Sequence, residues 1–202
     1  MPNTTRLQIT TTPYTLTALC CTILFSLFTA ATALANDQLI DPELRELLKK
    51  AVNESDSFVD RFEAEVWLMD MSNRLKPRLP DNTKRLHLLK LIHREARRND
   101  LHPELVLAVI DVESNFNRYA ISKAGAMGLM QVMPFWLKEI GRPGDNLFSI
   151  RTNLRMGCTI LKYYLDKEKG NLTHALMRYN GSKGSYRYTT KVFRALDKKW
   201  RN

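Results

Sequence analysis

Leu105 to Ile110 is an unbroken apolar run, Leu-Val-Leu-Ala-Val-Ile, and Pro103 just ahead of it suits the first turn of a helix. A helix that is apolar nearly all round belongs in a protein interior. The rest of the chain must therefore supply elements to wrap it. Close behind the run stands Glu113. A carboxyl at the C-terminal end of a buried helix is pushed toward its neutral form by burial and by the negative end of the helix dipole. A carboxylic acid that keeps its proton at neutral pH is what general acid chemistry needs. A solvated helix end is the plainer reading of a lone glutamate, and the residues after Glu113 decide against it.

The surrounding pattern is helical. All eight glycines lie after residue 124, and the region before it alternates apolar and charged residues at helical spacing. A short helix is expected from Pro42 to Val52. A second carries Phe58, Phe62, Val66 and Met69 on one stripe and ends near Leu75, ahead of Pro77 and Pro80. Asp81 or Asn82 caps a third, which runs to about Arg98. Residues 117–128 form the main irregular segment, a wall for a cleft. A short helix is expected from Val132 to Ile140. Ser149 caps a long one from Ile150 to about Lys167, where Gly157 allows a neighbour to approach closely. Gly170 stops it, and Asn171 opens a helix that ends at Tyr179. No β-alternation of useful length is present. The fold class is mostly α.

Immediately after Glu113 come Ser114-Asn115-Phe116-Asn117, then Gly125-Ala126-Met127-Gly128-Leu129-Met130-Gln131-Val132-Met133-Pro134. About fifty residues later stands Ala175-Leu176-Met177-Arg178-Tyr179-Asn180-Gly181. In order and spacing, these three blocks resemble the motifs of the transglycosylase SLT domain, the catalytic module of lytic transglycosylases. The resemblance covers roughly Leu86 to Gly184. It departs from the family pattern at Arg178, where a small residue usually precedes the tyrosine. It implies a goose-type lysozyme-like catalytic domain over residues 81–202, behind a helical extension over residues 36–80.

Hydrolysis of a glycosidic bond usually takes two carboxyl groups. Near Glu113 the sequence offers only Asp111, which lies roughly 200° away around a helix and so faces the other side. Asp145 and Glu139 are distant alternatives. Lytic transglycosylases use one glutamate, and the resemblance carries that role to Glu113. It would protonate the oxygen joining N-acetylmuramic acid to N-acetylglucosamine, then as a carboxylate deprotonate the C6 hydroxyl to close a 1,6-anhydro ring. Ser114 would position the glutamate or bind glycan. Gln131 and Asn180 would bond N-acetyl or hydroxyl groups. Tyr179 would orient Glu113 or the sugar, Met130 would lie at the cleft, and Gly128 would let backbone approach the saccharide. The competing readings are a goose-type lysozyme-like hydrolase and a non-catalytic glycan-binding protein of the same fold.

The start of the chain reads as an export signal. Arg6 is the only charge before Asp37, and Leu16 to Phe28 is apolar but short for a membrane span. Ala33-Leu34-Ala35 then offers a small-x-small site, so residues 1–35 are expected to be a signal peptide cleaved before Asn36. A retained anchor is the alternative. Leu19 before Cys20 is too large for a lipid-attachment box. Cleavage would leave Cys158 as the single cysteine, so no intramolecular disulfide is expected, and its apolar setting suits a buried thiol. The four histidines make no metal-ligand spacing, and neither metal nor cofactor is expected.

Charge is segregated along the chain. From Asn36 to Asp81 there are 7 basic and 11 acidic residues, and from Asn82 onward 23 basic and 10 acidic. Such asymmetry suggests a polyanionic partner. In a periplasmic destination that partner would be peptidoglycan glycan strands rather than nucleic acid. A monomer is expected, with peripheral contact to a membrane or a secretion apparatus as a further option. The C-terminal stripe Val192, Phe193, Leu196 and Trp200 lies among basic residues. It is read as packing on the domain in preference to a membrane-surface helix.

Overall fold

A computed structural model describes residues 46–48, 51, 56–58, 60–182 and 184–201. The segment read as an export signal, its expected cleavage site and most of the helix expected from Pro42 to Val52 lie outside these residues. Seven α-helices follow one another from residue 61: α1 (Arg61–Leu75), α2 (Asn82–Arg98), α3 (Pro103–Ser114), α4 (Trp136–Ile140), α5 (Ile150–Lys167), α6 (Leu172–Asn180) and α7 (Arg187–Ala195). The last runs straight into a π-helical turn, Leu196–Trp200. The described residues contain isolated β-bridges but no strand. The chain is mostly helical, as expected.

Local chemistry sets the helix starts. The Asp60 carboxylate accepts from the amides of Phe62 and Glu63, and that of Asp81 accepts from Lys84. Asn171 caps α6 through the His174 amide. Each satisfies an amide that the first helical turn leaves without a partner. Pro103 opens α3, where its missing N–H costs nothing. Helix α4 is shorter than expected and begins only at Trp136, because Pro134 keeps Met133 out of the helical region.

Helix α3 is the hub. Val106 to Ile110 have no accessible surface at all. It is packed by α2, α7 and the π-turn, while α5 lies across α2 and α6. Helix α1 packs on α2 and adds Trp67, Leu68, Met71 and Leu75 to the same core. Its Trp67 indole donates to Glu104 in the first turn of α3, at 2.6 Å. The expected stripe is split: Phe58, ahead of α1, and Met69 pack against the core, whereas Phe62 is 76% and Val66 43% exposed. Ala64, Trp67, Leu68, Met71 and Leu75 form a second apolar stripe at helical spacing. It carries the larger payload, including the tryptophan, and takes the core. At the other end Val192, Leu196 and Trp200 are buried, so the C-terminal stripe is a packing surface.

Candidate active site

Glu113 is the penultimate residue of α3. The helix ends abruptly behind it, because Asn115 (φ 48°) and Phe116 (φ 65°) both take left-handed backbone. That region is costly for an aromatic residue and needs support from its surroundings. The support is visible. The Arg78 Nε donates to Asn115 Oδ1 at 2.7 Å, and the Phe116 ring packs 5.4 Å from that of Trp200. The turn therefore delivers Glu113 to one place.

That place is a cavity of about 310 Å³ lined by Val112, Glu113, Asn180, Ser182, Ser185, Arg187, Tyr188 and Lys191. Among the described residues, Glu113 is the only acid in the lining. Burial pushes its carboxyl up to about 7, against the pull of hydrogen bonding from Tyr188 and Asn180, which favours the anion. Apart from this approach to Glu113, the buried hydroxyl of Tyr188 has no partner among the described residues, and neither has Ser182 Oγ. A larger cavity of about 490 Å³ lies among Leu79, His87, Leu91, Arg118 and Ile150, and no carboxylate lines it.

The expected site residues divide into two groups. Glu113 and Asn180 share the cavity. The others are not part of its lining and tie the loop to α3 and α6. The Ser114 hydroxyl bonds the Leu129 carbonyl at 2.7 Å, so it ties α3 to the loop and does not touch the acid. Tyr179 Oη donates to the Met130 carbonyl at 2.7 Å. It is kept protonated by burial and by the nearby negative charge of Glu113. The Gln131 amide donates to the carbonyls of Ala120 and Gly128. Met130 is fully buried rather than at the cleft. Its side chain rests on Gly157, where a Cβ would stand 2.5 Å from the sulfur. Packing alone requires a glycine at 128: a Cβ there would lie 2.3 Å from Asn153 Nδ2 and 2.5 Å from the Leu147 carbonyl.

Two residues were missed by the sequence reading. Tyr188 lies one turn before Val192 on the same buried stripe, so extending that stripe backwards would have found it. Asn153 is a buried polar residue on the apolar face of α5, which is itself a signal. Its side chain accepts from the Met130 amide and donates to the carbonyls of Met127 and Leu147. Asp111 does face away from the cavity, but it is not idle there. Its carboxylate accepts from Lys199 at 2.9 Å and the Trp200 indole at 3.2 Å, and pairs with Arg78 at 3.1 Å. Asp145 is held by Arg155, Thr152 and the Arg142 amide. Arg178 turns outward to Glu168 on the far side of α6, so its size does not crowd the tyrosine beside it. Burial pushes the Cys158 thiol far up, as suits a structural residue. Among the described residues no group of His, Cys, Asp or Glu could hold a metal ion.

The sequence matches the family model of the transglycosylase SLT domain over residues 90–201. The chain belongs to the SLT family. The match takes in every residue lining the Glu113 cavity, whereas α1, Arg74 and Arg78 lie ahead of it. Among curated SLT relatives, the membrane-bound lytic murein transglycosylases C of Yersinia pestis (strain Pestoides F) and Yersinia pseudotuberculosis (serotype O:1b, strain IP 31758) are each 34% identical over 119 residues. That alignment covers 50% of this chain and 33% of each relative. The chain thus spans about a third of the length of these relatives. Similar solved structures include the 70 kDa soluble lytic transglycosylase of Escherichia coli (TM-score 0.44, 20% identity, 74% of this chain and 29% of that one). An inactive mutant of the lytic transglycosylase Slt from Pseudomonas aeruginosa is similar at TM-score 0.44 and 24% identity, over 74% of this chain and 31% of that one.

Proposed function

We propose that this chain is a peptidoglycan lytic transglycosylase in which Glu113 is acid first and base second. One observation carries the reading: a single carboxyl, raised to about 7, lines a cavity that holds no other acid among the described residues. Near neutral pH such a group divides its population between the two forms, so it can both give and take a proton. In its neutral form Glu113 protonates the bridging oxygen between N-acetylmuramic acid and N-acetylglucosamine. The muramyl N-acetyl oxygen supports the positive charge that develops at C1. Glu113 then removes the C6 hydroxyl proton as O6 bonds to C1. The ring closes as a 1,6-anhydro sugar, no water is consumed, and Glu113 recovers its proton. Asn180 and Tyr188 hold the carboxyl in place, while Ser114, Gly128, Met130, Gln131 and Tyr179 fix the loop between α3 and α4. Murein is what the Yersinia relatives' names give as their substrate, and the basic C-terminal half suits that acidic polymer. The export signal read in residues 1–35 would place the enzyme in the cell envelope.

The test is mass spectrometry of purified sacculi after incubation with the protein. The expected products carry 1,6-anhydromuramyl ends, one water lighter than reducing ends, and form in the presence of chelators. Products with reducing muramic ends alone would identify a hydrolase instead. Inactivity of a folded protein would favour a glycan-binding role.

A further inference from the structure

The cavity around Glu113 holds charges that the proton transfers do not use. Arg187 and Lys191 line it from the first two turns of α7. Neither pairs with an acid among the described residues, and both are exposed at the cavity mouth. Their charge is not spent on Glu113, whose proton affinity is set by burial, Tyr188 and Asn180. The N-terminus of α7 adds its own positive end to the same side. Ser182 and Ser185 add hydroxyl-bearing side chains to the same lining, and Tyr188 bonds Glu113 there. Tyr188 as a whole is only 7% exposed.

We infer that Arg187 and Lys191 form a carboxylate-recognition subsite beside Glu113, which selects glycan strands whose muramyl substituents end in free carboxylates over strands in which those groups are neutral. The inference rests on the proposed reaction for the identity of the sugar but not for the charge preference. The carboxylate has two possible sources, the lactyl group of a peptide-free muramyl sugar or the stem peptide of a substituted one. Both present the same planar anion. Arg187 can meet it with two parallel N–H groups and Lys191 as a point charge.

The experiment measures binding in the full chain carrying Glu113→Gln, so that turnover does not consume the ligand. Four ligands are titrated at low salt: peptide-free and peptide-bearing muroglycan oligosaccharides, each with its carboxyl groups free or converted to carboxamides. Two exposed ion pairs to a ligand give a preference of about tenfold for the free acid. Arg187→Gln with Lys191→Gln should abolish that preference, whereas Arg187→Lys with Lys191→Arg should keep it. A preference confined to the peptide-free pair assigns the lactyl carboxylate, and one confined to the other pair assigns the peptide. The proposal is overturned by equal affinity for acid and carboxamide, by a preference that survives the double Gln variant, or by no binding at all. Anhydro product formation by the wild-type chain is scored separately. A chain that shows the preference but yields no anhydro ends loses the proposed reaction and keeps the subsite.

Discussion

Glu113 is an acid whose usefulness conflicts with its environment. Folded, it holds its proton up to about pH 7; unfolded, only up to about 4.5. Between those values the native state binds the extra proton, so the contribution to stability is fully present below pH 4.5 and is lost as pH rises through 7. The shift corresponds to about 3 kcal/mol. Glu113→Gln keeps the shape and removes the ionisation. It should cost at least the roughly 10²–10⁴-fold that general acid–base catalysis contributes. At pH 8 the same variant should be more stable than the wild type by about 1–3 kcal/mol, and at pH 4 no different. Urea titrations at the two pH values check this, and equal stabilities at pH 8 would show that the carboxyl is not held neutral. Tyr188→Phe acts in the opposite sense on the anion. Its hydrogen bond lowers the Glu113 value, so its loss should raise that value further. The limb of the kcat/KM profile that falls with rising pH should then move to higher pH, and an unmoved limb would remove Tyr188 from the site.

At the scale of elements, the local signals were in the sequence and the long-range partners were not. Asp60 was not picked out, but Asp81, Pro103 and Asn171 mark helix starts because capping is chemistry between near neighbours. Helical geometry likewise turned Asp111 away from Glu113. What Asp111 would meet was not legible, because Arg78 and Lys199 lie far from it along the chain and only folding brings them together. The same limit applies to the loop between α3 and α4. Met130 and Gly128 read as ligand contacts because Gly157 and Asn153 announce a close or polar neighbour on α5 without saying which loop packs there. Asp111→Asn therefore should not be silent. It removes a nearly buried carboxylate that accepts two hydrogen bonds and pairs with Arg78. We expect a loss of about 2 kcal/mol in chemical denaturation. Activity per folded molecule should stay far above that of Glu113→Gln. If the folded variant is as inactive as Glu113→Gln, the one-carboxylate mechanism fails.

At the scale of the whole molecule, charge and core make separate demands. The basic excess after Asn82 was plain from composition, and its consequence is long-ranged. Retention on sacculi should fall as salt rises from about 0.05 to about 0.5 M, since the screening length shortens over that range; unchanged retention would assign affinity to hydrogen bonding and stacking. The core is another matter. The family match begins at residue 90, and the sequence reading set the catalytic domain apart from residue 81, yet α1 joins the core and Arg78 just after it reaches the turn behind Glu113. It buries Trp67, Leu68, Met71 and Leu75, and each large apolar side chain is worth about 1.5–3 kcal/mol on burial. Arg74 also donates to the carbonyls of Lys199 and Arg201, and Arg78 braces the strained turn behind Glu113. Their sum is on the order of the whole stability of a domain, about 5–15 kcal/mol. A chain that begins at Asn82 is thus expected to retain helix by far-ultraviolet circular dichroism while losing cooperative unfolding and releasing no anhydromuramyl ends. One that begins at Asn36, which keeps the buried Leu48 and Ala51, should keep both. Cooperative melting and full activity in the Asn82 chain would show that α1 is an appendage and that the residues matched by the family suffice.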